Sequence, residues 1–181
     1  MMVSPALLLA LLAGVAASAD DPPRVGGAIH EPRKIINVNP EYPDEARKTR
    51  IQDVVFLDCI VGKDGTVTEA RVLRGDPVLA EAARSAVLQW TYTPTLLNGE
   101  PVAITMTVSV NYVLRNGSVD GALIKALKDE NPVVRERAAV VCGSSPWRTR
   151  ALEDALRQAA RDPEEKVREA AARALKELRK R

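Results

Sequence analysis

Aromatic side chains are scarce in this chain. One Phe, two Trp and three Tyr among 181 residues make up 3% of the sequence. A core therefore has to be built from Ala, Val, Leu and Ile. Histidine occurs once, at His30, and cysteine twice, at Cys59 and Cys142. No Cys-x-x-Cys or His-x-x-x-His spacing is present, so a zinc site has no ligand set and no metal is expected. Ser85 and Ser109 have no histidine at a plausible position, which removes a serine triad. Charge of one sign is lacking too. Lys and Arg total 26 against 24 Asp and Glu, a formal net charge of +2. That leaves no basic stripe to displace counterions from nucleic acid. Hydrophobic residues at 46% and charged residues at 28% are globular values. The expectation is a non-enzymatic protein with no cofactor and no nucleic-acid partner.

A long apolar run occurs only at the start. Residues 3–19 are uncharged, include Leu7-Leu8-Leu9-Ala10-Leu11-Leu12, and end at Ala17-Ser18-Ala19 ahead of Asp20-Asp21. A small-x-small end after a short apolar stretch reads as a signal peptide over 1–19, with export to the periplasm. The run is short for a membrane span of about 20 residues. An uncleaved inner-membrane anchor is the alternative, because no Lys or Arg precedes the run. From 20 to 37, Asp21-Pro22-Pro23, Gly26-Gly27 and Glu31-Pro32 interrupt any periodicity, so this stretch reads as a linker.

Residues 38–116 read as one small α+β unit. Pro43 suits the first position of a short helix, with Asp44 and Glu45 in its first turn. In a strand over 54–61, Val55, Leu57, Cys59 and Val61 alternate on one face, with Asp58 on the other. Gly62-Lys63-Asp64-Gly65 turns the chain into a second strand over 66–73. Asp76 and Pro77 then begin a helix whose Leu79, Ala82, Ala83, Ala86, Val87 and Trp90 form one apolar stripe. After Asn98-Gly99 comes the longest strand signal. Val102, Ile104, Met106, Val108, Val110, Tyr112 and Leu114 share one face, while Ala103, Thr105, Thr107, Ser109 and Asn111 occupy the other. The ordered set Tyr42-Pro43, Asp64-Gly65, Trp90-x-Tyr92-x-Pro94, Gly99 and a long final strand resembles the C-terminal domain of TonB energy transducers. The resemblance implies a small antiparallel sheet with two helices on one face, located in the periplasm. It also implies binding of a short segment of outer-membrane receptors, added as a strand to the sheet edge. Two departures stand out. Asp53 takes a position where family members often carry glycine. No proline-rich spacer or histidine-bearing membrane helix of the transducer kind is visible.

Beyond Asn116-Gly117-Ser118 the composition shifts to Ala, Arg, Glu, Leu and Lys. Residues 120–181 repeat with an offset of 33: Asp129 aligns with Asp162, and Val134-Arg135-Glu136 with Val167-Arg168-Glu169. Paired helices at such a period indicate a short solenoid, and the pattern resembles HEAT-type repeats. In that family the Val packs between helices, and the Asp and Arg stabilise the turn. Two repeats are fewer than the three usually needed for independent stability, so they are expected to lean on the sheet unit or on a partner.

The final strand is the candidate site. Between 102 and 111 it carries no Lys, Pro or other device that normally blocks an exposed edge. Val102, Ala103, Ile104, Thr105, Met106, Thr107, Val108, Ser109, Val110 and Asn111 are therefore the expected partner-binding edge. The partners expected are proteins, with outer-membrane receptors as the implied class. A central strand, or a homodimer through the same edge, is the alternative. A periplasmic scaffold in which the repeats bind and the sheet unit is accessory is the rival function.

Overall fold

The computed structural model describes residues 22–25, 32–114, 118–146 and 149–180. The signal-peptide reading of 1–19 and His30 lie outside the described residues. The elements run β1 (Lys34–Ile36), α1 (Asp44–Lys48), β2 (Asp53–Val61), β3 (Val67–Arg74), α2 (Pro77–Val87), β4 (Thr91–Tyr92), β5 (Thr95–Leu97), β6 (Glu100–Val102) and β7 (Ile104–Tyr112). Four helices follow: α3 (Asp120–Ala126), α4 (Pro132–Ser144), α5 (Arg150–Ala159) and α6 (Glu165–Lys180). The fold is α+β with an all-helical tail.

β3, β2 and β7 form one antiparallel sheet in that spatial order. Alternation sends Val55, Leu57, Cys59 and Val61 of β2, with Met106, Val108 and Val110 of β7, to one face. Leu79, Ala83 and Val87 of α2 and Ala46 of α1 cover that face. The α2 helix starts where its cap chemistry dictates: the Asp76 side chain accepts from the Val78 amide at 2.9 Å, and Pro77 takes the first helical position. Asp53, the departure from glycine, bridges two elements. One of its oxygens accepts from its neighbour Val54 N and the other from Asp76 N, both at 2.8 Å. It thereby ties the start of β2 to the cap of α2.

The opposite face of β2 is covered as well. Val54 and Phe56 are fully buried in a second core with Val119, Leu123, Val134, Ala138, Leu152 and Leu156 of the tail. The repeats thus lean on the sheet. Their ladder explains how. Arg135 makes a two-pronged ion pair with Asp162 of the next repeat, at 2.8 and 2.9 Å, and also donates to Asp129 O and Glu130 O. Asp129, the counterpart of Asp162, receives its arginine from the sheet instead: Arg74 Nη1 lies 2.7 Å from Asp129 Oδ2. The end of β3 fills the place that a preceding repeat would fill. Val134 and Val167 are buried between helices, as the repeat resemblance implies.

Three local readings are corrected. The first concerns Pro43, which precedes α1 as its cap residue, with Asp44 opening the helix. The second concerns the long strand, which does not begin at Val102. Asn98 and Gly99, with φ of 53° and 90°, make a tight turn that joins β5 to β6. Val102 pairs with Thr95 in that hairpin, Ala103 is outside any strand, and β7 starts at Ile104. The third concerns 20–37, read as a linker for its proline and glycine, which contains β1. Its Lys34 and Ile36 pair with Tyr92 and Thr91 of β4.

Candidate functional site

β7 is the end strand of the three-stranded sheet, hydrogen-bonded to β2 along one side. In an antiparallel strand the N–H and C=O of alternate residues point the same way. Thr105 points its pair away from β2, so Thr107, Ser109 and Asn111 do too. At Thr105 the outward pair is taken. Thr105 N donates to Pro23 O at 2.9 Å, and Val25 N donates to Thr105 O at 3.0 Å. The segment 22–25 therefore lies on β7 as a short parallel bridge at Arg24. The Thr105 hydroxyl adds a bond to Pro22 O at 3.1 Å. Among the described residues, no backbone group takes the outward pairs of Thr107, Ser109 or Asn111.

Arg24 anchors the bridging segment. Its guanidinium forms a two-pronged ion pair with Asp58 of β2, with Nη1 at 2.8 Å from Oδ1 and Nη2 against Oδ2. Thr107 Oγ1 donates to the same Asp58 Oδ1 at 3.1 Å. Asp58 thus faces the edge as a fixed negative group. Beside it, a hollow of about 830 Å³ opens between the β7 edge and the helices α4 and α6. Val140, Val167, Ala170 and Ala174 give it an apolar floor, and Glu136, Arg137, Arg173 and Glu177 lie at its sides. A smaller hollow of about 200 Å³ lies beside Val108 and Ser109, bounded by Lys34, Trp90, Tyr92 and Arg137.

No group of three or more His, Cys, Asp or Glu is placed to hold a metal among the described residues. Cys59 and Cys142 are separate, buried free thiols, and burial pushes both up to about 12. They are core hydrophobes, poorly suited to nucleophilic work. No helix among the described residues is long and apolar enough to cross a membrane.

Comparison with known proteins divides the chain in two. The sequence pattern of the Gram-negative bacterial TonB protein C-terminal family matches residues 38–114. The pattern of HEAT repeats matches residues 121–181. The TonB-like match is thus followed along the chain by the HEAT-repeat match. Protein TonB of Vibrio cholerae serotype O1 is 30% identical over 79 residues, which cover 42% of this chain and 32% of that protein. The chain thus spans about a third of the length of that relative. The solution NMR structure of the Pseudomonas aeruginosa TonB CTD aligns with a TM-score of 0.41 and 22% identity, over 48% of this chain and 89% of the other.

The TonB-like motif residues converge on the frame. The Tyr42 hydroxyl donates to Ile51 O, and its ring meets that of Tyr112 edge-on at 5.4 Å. Gly65 adopts a φ of +87° and accepts from Tyr92 N at 2.8 Å. A Cβ there would lie 2.0 Å from Tyr92 O, so only glycine fits. The Trp90 indole donates to Val38 O at 2.8 Å, and the Lys34 ammonium sits over its ring. Gly99 serves the β5–β6 turn, and Pro94 is exposed between β4 and β5. Asp64 accepts from the Thr66 amide and hydroxyl, which hold its carboxyl below the usual range. These residues close the hairpin and dock the segment after α2.

The expected edge holds together from Ile104 to Asn111 as one strand, while Val102 and Ala103 fall outside it. Sequence reasoning missed Arg24, Arg74 and the second buried face of β2. A signal for that face was present: Val54 and Phe56 alternate on the side assigned to Asp58, and apolar residues on both faces mean both are covered. Arg24 and Arg74 carried no such signal, because their partners are 34 and 55 residues away.

Proposed function

We propose that this chain is a non-enzymatic, TonB-like binding protein of the periplasm that takes an extended segment of a protein partner as an added strand on β7. We place it in outer-membrane receptor-dependent transport, with receptors as the partner class. One observation carries this reading. β7 ends the sheet, and its outward groups at Thr107, Ser109 and Asn111 lack backbone partners among the described residues. The bridge at Thr105 supports it further, since a segment of extended chain already pairs there. Strand addition draws its affinity from such backbone groups, and alternate side chains supply specificity. The TonB relationship supplies the partner class and supports a binding role over a catalytic one.

The second reading is a scaffold in which the helical tail does the binding. The hollow facing α4 and α6 favours it. Titration of the purified protein with short periplasm-facing peptides from the outer-membrane receptors of its source bacterium separates the two. Saturable binding that is lost in Thr107→Pro, and at most weakened in Val140→Glu, supports strand addition. Circular dichroism must report an intact fold in both variants. Binding that survives Thr107→Pro in a folded protein overturns it in favour of the scaffold, and so does absence of binding by every receptor peptide.

A further inference from the structure

The edge of β7 and the face of α4 and α6 are two walls of the same hollow. We infer that they form one composite site for an extended peptide running parallel to β7, with a cation opposite Asp58 and apolar side chains facing α4 and α6. This rests on the strand-addition reading and deepens it by naming the partner's direction and pattern. In this account the helical tail contributes to selecting the peptide, by reading the side chains of a strand that the sheet holds by its backbone.

The chain's own segment 22–25 reveals the occupant. It is extended, it runs parallel to β7, and both Arg24 and Val25 line the hollow. Its one charged side chain lies on the outer face of the sheet, against Asp58. Successive side chains of a strand alternate between faces, so positions two and four beyond the cation lie on that same outer face. The first of these, opposite Thr107, points toward the apolar floor at Val140 and Ala170, and the second continues the strand to Ser109. The hollow, at about 830 Å³, is within the usual 300–1,000 Å³ range of ligand sites. The segment 22–25 occupies only the end near Thr105, so an arriving peptide continues its line along β7 and competes with it at Thr105.

The probe is a fluorescent peptide of residues 20–28 with Gly26→Leu and Ala28→Leu, which puts apolar side chains two and four positions beyond Arg24, titrated by anisotropy into the full-length protein. Arg24→Glu in the protein sets its own segment against Asp58 and vacates the edge. This variant is expected to bind the peptide about tenfold or more tighter than the unsubstituted chain. Val140→Glu and Arg173→Glu, both at exposed positions, are then added singly to Arg24→Glu. Val140→Glu places a charge on the apolar floor, where it loses water, and is expected to weaken binding about tenfold. Arg173→Glu reverses the charge beside the floor and is expected to change affinity in a way that follows the peptide's own charge. Unchanged melting curves must accompany both effects. Peptide-induced amide protection on β7 with affinity untouched by Val140→Glu and Arg173→Glu overturns the composite site and leaves strand addition standing. Affinity lost in Val140→Glu with no protection on β7 overturns both in favour of the helices alone. No binding to the Arg24→Glu protein overturns the composite site as well.

Discussion

At the scale of single residues, Asp162 shows how little chemistry the tail needs to hold its register. Two hydrogen bonds from Arg135 hold its carboxyl below the usual range, against the opposing effect of burial. A carboxylate with a depressed folded pKa contributes stability that is present above its unfolded value, about 3.9. That contribution is lost as pH falls through the lower folded value. Asp162→Asn is expected to cost about 2 kcal/mol at pH 7, the range for a hydrogen bond to a charged group. It should also flatten the loss of stability below about pH 4. Urea unfolding of both proteins at pH 7, 5 and 3 measures this. A variant whose acid limb parallels that of the unsubstituted protein would mean the pair contributes nothing. Asp129 meets Arg74 in the equivalent place, so the same chemistry that joins repeat to repeat joins sheet to repeat.

At the scale of elements, β2 carries the connection between the two halves of the molecule. Its Phe56, the one phenylalanine of the chain, is fully buried among tail helices, while Leu57 and Cys59 face α2. Phe56→Ala is expected to destabilise the protein by about 3–5 kcal/mol, the cost of truncating a buried aromatic. Helical circular dichroism should then melt at lower temperature. A loss under about 1 kcal/mol would mean that the tail does not depend on this contact. Elements with strong local chemistry were legible in the sequence. The Asp-Gly hairpin, the Asp76-Pro77 helix start and the repeat offset all depend on neighbours a few residues apart. The break at Ala103 was not, because alternation continues through it: Val102 and Ile104 fit one apolar face whether or not the strand is continuous. The β5–β6 hairpin also hides in that pattern, since its strands are three residues each. β1 was obscured by the prolines and glycines around it, and its pairing with β4 spans more than fifty residues.

At the scale of the whole molecule, the sheet lies between two helical layers. α1 and α2 cover one face, the solenoid covers part of the other, and the β7 edge runs along the seam. The candidate edge was legible as a strand without charge or proline between 104 and 111. What flanks it was not, since the segment 22–25 and helices α4 and α6 reach it only through the tertiary fold. The architecture gives the TonB-like unit a neighbour beside its candidate edge, and it gives the short solenoid a sheet at the end where a third repeat would stack. Amide hydrogen exchange on the full-length protein, alone and saturated with a bound receptor peptide, tests the central claim most directly. An added strand takes the outward N–H groups of β7, so new protection is expected at Thr107, Ser109 and Asn111, larger than anywhere else in the chain. Protection confined to α4 and α6 around Val134 and Val167, with the β7 amides unchanged, would contradict it.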